Sequence, residues 1–200
     1  MTLLPISAAA LAASLCATGL LALSAMARAD TAPVPDAAAS ARIRLFGQNG
    51  ISVKFYRNSA CYKSGLFGSG GAEVVSGGAG DAFLSLLGAS SNTRIGMPDS
   101  PATRNLSARS GMLSKAYFKE YSVAAGEPLT VLTSFRDVSG YYCKNIARSF
   151  VPEAGADYEA SMDLSFAHGT CELSVRRIQT EGEQVVLLPL DNAVSADECR

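Results

Sequence analysis

An all-β fold, an antiparallel sandwich of about eight short strands, is predicted by three features of this 200-residue chain. Apolar and polar residues alternate at period two in several segments, most clearly from Tyr158 to Phe166. Turns rich in glycine and proline separate those segments, and four cysteines beyond the leader (Cys61, Cys143, Cys171 and Cys199) offer two covalent staples. Short alternating strands at regular spacing suit two packed sheets better than a closed barrel.

The first element is a leader. Residues 1–29 carry no acid and no base before Arg28, run apolar from Leu3 to Met26, and end in Ala27-Arg28-Ala29, whose small residues fit a signal peptidase. They read as a cleaved signal helix, which makes the chain exported, periplasmic or secreted. An uncleaved anchor is the rival reading, since about 20 apolar residues span a bilayer. Cys16 follows the bulky Leu15, which argues against lipidation. After cleavage no stable membrane span is expected. Residues 30–40 read as a linker, and 41–200 as one domain with an insertion at 64–114.

Removing Arg28 leaves 16 basic and 18 acidic groups, a net charge of −2. The bases are interleaved with acids, so nucleic acid, which needs a concentrated basic face, is not an expected partner. No tryptophan is present, which removes the usual anchor for sugar stacking but leaves seven tyrosines.

The strands follow in order. Ile43 and Leu45 alternate with Arg42 and Arg44, then Ile51, Val53 and Phe55 with Ser52 and Lys54. A three-residue Gln48-Asn49-Gly50 loop would form a hairpin pairing Leu45 with Val53 and Ile43 with Phe55, with Gly50 in the left-handed region. A second hairpin is expected between Tyr117–Val123 and Leu129–Phe135 through Ala124–Pro128, with Val123 opposite Leu129. Phe150 leads through Pro152-Glu153-Ala154-Gly155 into the strand at Tyr158. That strand and Cys171, Leu173 and Val175 match their apolar faces only across an even loop, read as His168-Gly169 with His168 at positive φ. Gln184 to Leu188 gives a last strand, at the core or an edge.

The insertion is poorly patterned. Asp81 could cap a helical turn through Phe83, Leu84, Leu86 and Leu87, and a short strand is expected around Arg94–Met97. Even cysteine number in an oxidising compartment allows three disulfide connectivities. Cys143 with Cys171 and Cys61 with Cys199 is the preferred set.

A search for chemistry finds no catalytic set and no cofactor or metal ligands. No serine stands in the Gly-x-Ser-x-Gly spacing that a nucleophile elbow demands, the Gly68–Gly80 run contains neither the Lys nor a Thr of a phosphate loop, and no CxxC accompanies the single histidine. Arg94, Arg104, Arg109 and Lys115 share a stretch with only Asp99 to oppose them. With Phe83 and Leu86 they form the candidate binding loop, a basic, mobile segment suited to anionic lipid, polysaccharide or an acidic protein surface. The alternative for these residues is a solvated loop and, for Phe83 to Leu87, a buried plug.

The Ala41-Arg-Ile-Arg-Leu-Phe-Gly-Gln-Asn-Gly segment, the Ala-Ala-Gly-Glu-Pro-Leu-Thr-Val turn at Ala124, and Phe150-Val-Pro-Glu-Ala-Gly-Ala-Asp-Tyr-Glu resemble uncharacterised bacterial envelope proteins with immunoglobulin-like or transthyretin-like sandwiches. The resemblance implies fold and location and brings no catalytic residues. The leading expectation is a non-enzymatic accessory domain binding an envelope or extracellular protein or polysaccharide through the 64–114 insertion. A secreted hydrolase inhibitor and an enzyme of unrecognised type are the alternatives.

Overall fold

The computed structural model describes residues 39–48, 50–63, 70–77, 91–110, 115–137, 140–165 and 167–200. The leader, Asp81, Phe83, Leu86 and Phe166 lie outside the described residues. Ten strands are described: β1 (Ser40–Gly47), β2 (Ile51–Arg57), β3 (Glu73–Ser76), β4 (Tyr117–Ala124), β5 (Leu129–Arg136), β6 (Tyr142–Phe150), β7 (Asp157–Ser165), β8 (Thr170–Glu181), β9 (Gln184–Pro189) and β10 (Val194–Ser195). They form an all-β sandwich. One sheet runs β4-β1-β7-β8-β9 and the other β10-β6-β5-β2-β3. All pairs are antiparallel except β1 with β7.

The core is the interleaf between the sheets. From the first sheet come Ala41, Ile43, Leu45, Val123, Tyr158, Ala160, Met162, Leu173 and Val175, and from the second Ile51, Val53, Phe55, Val75, Leu129, Val131 and Phe150. Aromatic pairs bridge the layers, Phe55 to Tyr121 at 4.8 Å and Phe150 to Tyr158 at 5.0 Å between centroids. Each fully buried large side chain contributes about 1.5–3 kcal/mol by leaving water. Burial pushes the Tyr158 phenol above its ordinary pKa, and its oxygen accepts the backbone N–H of Glu153 at 2.9 Å, closing the turn before β7.

Two expected hairpins are corrected by this topology. β1 does not pair with β2: Ile43 sits beside Tyr121 and Tyr158, while Phe55 sits beside Val131. Nor does β4 pair with β5, since Val123 faces Ala41 and Leu129 faces Arg57 and Phe150. Period-two alternation says which face of a strand is apolar, but two apolar faces can meet side by side in a hairpin or face to face across a sandwich. Here both connections cross between sheets, at Gln48–Ile51 and Ala125–Pro128. Gly50 does take positive φ, 85°, as the first of these turns requires.

The β7–β8 hairpin keeps the even parity, but its ladder ends at Ser165 opposite Thr170, so the loop has four residues rather than two. Gly169, at φ 62°, supplies the left-handed residue in place of His168. Cys61–Cys199 and Cys143–Cys171 are paired, with Cα separations of 5.2 and 6.2 Å. The first fastens the tail beside the Tyr62–Glu198 bridge, and the second joins β6 of one sheet to β8 of the other.

The insertion is partly built into the sandwich. It contributes β3, which extends the second sheet beyond β2. Arg94–Met97 forms no strand; Thr93 makes a single parallel bridge to Lys119, and the chain then turns at Gly96 with φ 93°.

Candidate binding face on the first sheet

β1 lies between β4 and β7, so its outward residues are flanked on both sides. The register sets Arg44 beside Glu120 and Glu159, and Arg42 beside Asp157. Arg44 was expected on a half-solvated strand face, yet it is 0% exposed. Its Nε and Nη2 donate to Glu120 Oε1 at 3.1 and 2.7 Å, and Nη1 donates to Glu159 Oε2 at 3.3 Å. Nη2 also donates to the Pro98 carbonyl at 2.8 Å. A buried guanidinium is tolerated only when paired and hydrogen-bonded in this way.

The other oxygen of Glu120 reads the insertion. Glu120 Oε2 accepts the backbone N–H groups of Ile95 at 2.7 Å and Met97 at 3.4 Å. Positive φ at the intervening Gly96 lets both amides point at one oxygen, and concave runs of N–H groups of this type favour an anion. Arg42 adds a bidentate contact to Asp157 at 2.6 and 2.7 Å and donates to the Gly96 carbonyl at 3.1 Å. The hydrogen bonds that Arg42 donates to Asp157 outweigh partial burial and hold its guanidinium above its ordinary pKa.

The loop is thereby lashed across the outer face at Gly96, Met97 and Pro98. Ser100 then caps a one-turn helix, Pro101–Arg104, by accepting the Thr103 N–H at 3.3 Å. Asp99 gathers the neighbouring cations: Arg94 Nη1 donates to its carboxylate at 2.7 Å and Arg104 Nη1 to its carbonyl at 2.7 Å. The hydrogen bond from Arg94, with a further one from Thr103, holds the Asp99 carboxyl below its ordinary value. Arg44 and Arg94 lie 5.2 and 4.9 Å from the centroid of Phe118, and Arg109 lies 5.0 Å from that of Phe46.

The basic segment expected to be mobile is therefore tied down over residues 91–110. Arg94 and Arg104 are brought together around Asp99, with Ile95 exposed between the lashings. Arg109 is separate, donating to the Met162 carbonyl at 3.4 Å, and Lys115 is exposed. Phe83 and Leu86 lie outside the described residues. His168 stands in the exposed β7–β8 turn.

No family model, curated protein or solved structure matches the chain. The chemistry of the face must be read from its own groups. Among the described residues no three His, Cys, Asp or Glu side chains are grouped to hold a metal ion. Every nitrogen of Arg44 and both oxygens of Glu120 are engaged within the protein, so this cluster positions the loop above it. What reaches solvent on this fixed backbone includes Arg94, Ile95 and Arg104, with the Asp99 carboxylate paired to Arg94 between them.

The Arg44–Glu120–Glu159 cluster was missed in the sequence because buried and solvated charges alternate identically along a strand. One signal was present: Phe46 and Phe118 share the outward parity of Arg44 and Glu120. Two large aromatics on a nominally solvated face imply a covering segment. No helix among the described residues is long and apolar enough to cross a membrane.

Proposed function

We propose that this chain is an exported, non-catalytic accessory domain that binds an acidic surface of an envelope protein through the base of its insertion. The observation that carries the proposal is the burial of Arg44 against Glu120 and Glu159, which holds Arg94, Ile95 and Arg104 in place before any partner arrives. A preorganised loop binds without the entropy cost of ordering. Paired cysteines, the apolar leader and the resemblance to bacterial envelope sandwiches support export.

Replacing residues 78–90 by a short Gly-Ser bridge leaves the lashings intact and separates the contribution of the insertion's remainder from that of its base. Copurification from the native envelope should retain the partner with this variant and lose it when Arg94 and Arg104 are both changed to Gln. Retention by the latter variant contradicts the assignment.

A further inference from the structure

A second surface lies on the other sheet, where the β5–β6 hairpin turns. A cavity of about 500 Å³ is lined there by Ser134, Phe135, Arg136, Tyr142, Cys143 and Lys144, with Gly140 at its rim. That volume falls within the range of small-molecule sites, about 300–1,000 Å³. Three of its properties point the same way.

First, its described lining is basic. Among the described residues neither Arg136 nor Lys144 takes part in an ion pair, and no acid lines the cavity. The nearest acid in sequence, Asp137, is not among the lining residues, and its Oδ1 accepts the Tyr141 N–H at 2.9 Å. Second, Tyr142 is 69% exposed, the most exposed of the large apolar side chains described. An aromatic ring held in water beside two cations offers a stacking platform at little ordering cost, having only two rotatable side-chain bonds.

Third, the β5–β6 ladder is bulged where two of the lining residues, Ser134 and Lys144, face each other. Thr133 pairs with Ile146 and Phe135 with Cys143, so Lys144 and Asn145 together oppose Ser134 in a bulge. Asn145 sits there at φ 53°, its N–H donating to Ser134 Oγ at 3.2 Å and its Oδ1 accepting from the same hydroxyl at 3.4 Å. Bulges re-aim the side chains beside them. The Cys143–Cys171 bond fixes the floor to the opposite sheet.

We propose that this cleft binds an acidic sugar unit, a pyranose ring bearing a carboxylate or phosphate. Tyr142 stacks on the C–H face of the ring, Arg136 takes the anion through paired N–H donors, and Lys144 neutralises it as a point charge. The site is separate from Arg94 and Arg104 and stands or falls independently of the partner proposed for them.

Calorimetric titration of the full chain, expressed from Met1 and oxidised, tests this with trigalacturonate, glucose 6-phosphate and neutral maltotriose. Binding of either anionic probe, weakening with added salt, is expected. Arg136→Gln and Lys144→Gln should each weaken it about tenfold, the scale of a charge-assisted hydrogen bond. Tyr142→Ala should weaken it severalfold, while Lys144→Arg restores affinity and shows that charge is what counts. Preference for one anionic probe identifies carboxylate or phosphate as the recognised group. Equal binding of maltotriose, retention of affinity within twofold by the Arg136→Gln/Lys144→Gln variant, or no binding of either anion overturns the proposal.

Discussion

Arg44 and Glu120 meet at 2.7 Å on adjacent strands with neither side chain exposed to solvent, and the other oxygen of that carboxylate holds the backbone of the insertion. One pair thus joins the sheet to the loop. Removing Arg44 would strand two buried carboxylates, Glu120 and Glu159. Arg44→Ala should therefore cost about 3–5 kcal/mol in urea unfolding. Arg94→Ala, at an exposed pair with Asp99, should cost no more than about 1 kcal/mol. Equal costs would mean that the buried cluster does not anchor the fold.

The acid limb of stability should report the loop through Asp99. Its folded pKa is lowered from 3.8, chiefly by the hydrogen bond from Arg94. The unfolded carboxyl protonates first as pH falls, so its contribution is present above the unfolded value and is lost as pH drops through the folded one. A carboxyl-carbon NMR titration should place Asp99 below 3.8 and return it toward that value in Arg94→Gln. An unchanged midpoint in the variant would contradict the pairing.

Gly77, where the insertion leaves β3, should tolerate no side chain. It has φ 89°, and a Cβ there would lie 2.6 Å from the Ser52 Cα. Gly126 also has positive φ, 80°, but nothing lies within 4 Å of an added Cβ. Gly126→Ala should cost about 1–2 kcal/mol from conformation alone, and Gly77→Ala measurably more, because backbone must move as well. Thermal melts of the two variants make the comparison.

Breaking Cys61–Cys199 by double serine substitution should cost about 2–5 kcal/mol, since the bond closes a loop across 138 residues. The tail it holds contributes the Tyr62 N–H to Asp197 and Cys199 N–H to Tyr62 hydrogen bonds. Hydrogen exchange should quicken at Tyr62 and Cys199 while β7 and β8 stay protected. Uniform loosening would show that the tail is not a separable element.

The sandwich was legible in the sequence because side-chain alternation, turn glycines and cysteine parity are local signals. Gly50, Gly126 and Gly155 each mark a real turn at positive φ, and the Tyr158 strand is where its pattern puts it. Which strands are neighbours was not legible, because Ile43 facing Phe55 across a core and Ile43 beside Phe55 in a hairpin demand the same pattern. The candidate site was half visible. Arg94 and Arg104 stood out as a basic cluster, but the fixation of their loop depends on Glu120, which is 25 residues from Ile95 and 23 from Met97 and whose burial follows from the sheet order. Tyr142 and Lys144 carried no signal, since the bulge beside their cleft has no local sequence mark.

Site-specific photocrosslinking in the native envelope tests the central claim most directly. A photoreactive residue at Ile95, 42% exposed on the lashed loop, is compared with one at Leu188, 39% exposed on the far edge strand β9. Capture of one envelope protein from position 95 and not from 188, abolished by Arg94→Gln/Arg104→Gln, is the expected result. Capture of the same species from both positions, or capture indifferent to the arginines, would contradict the account.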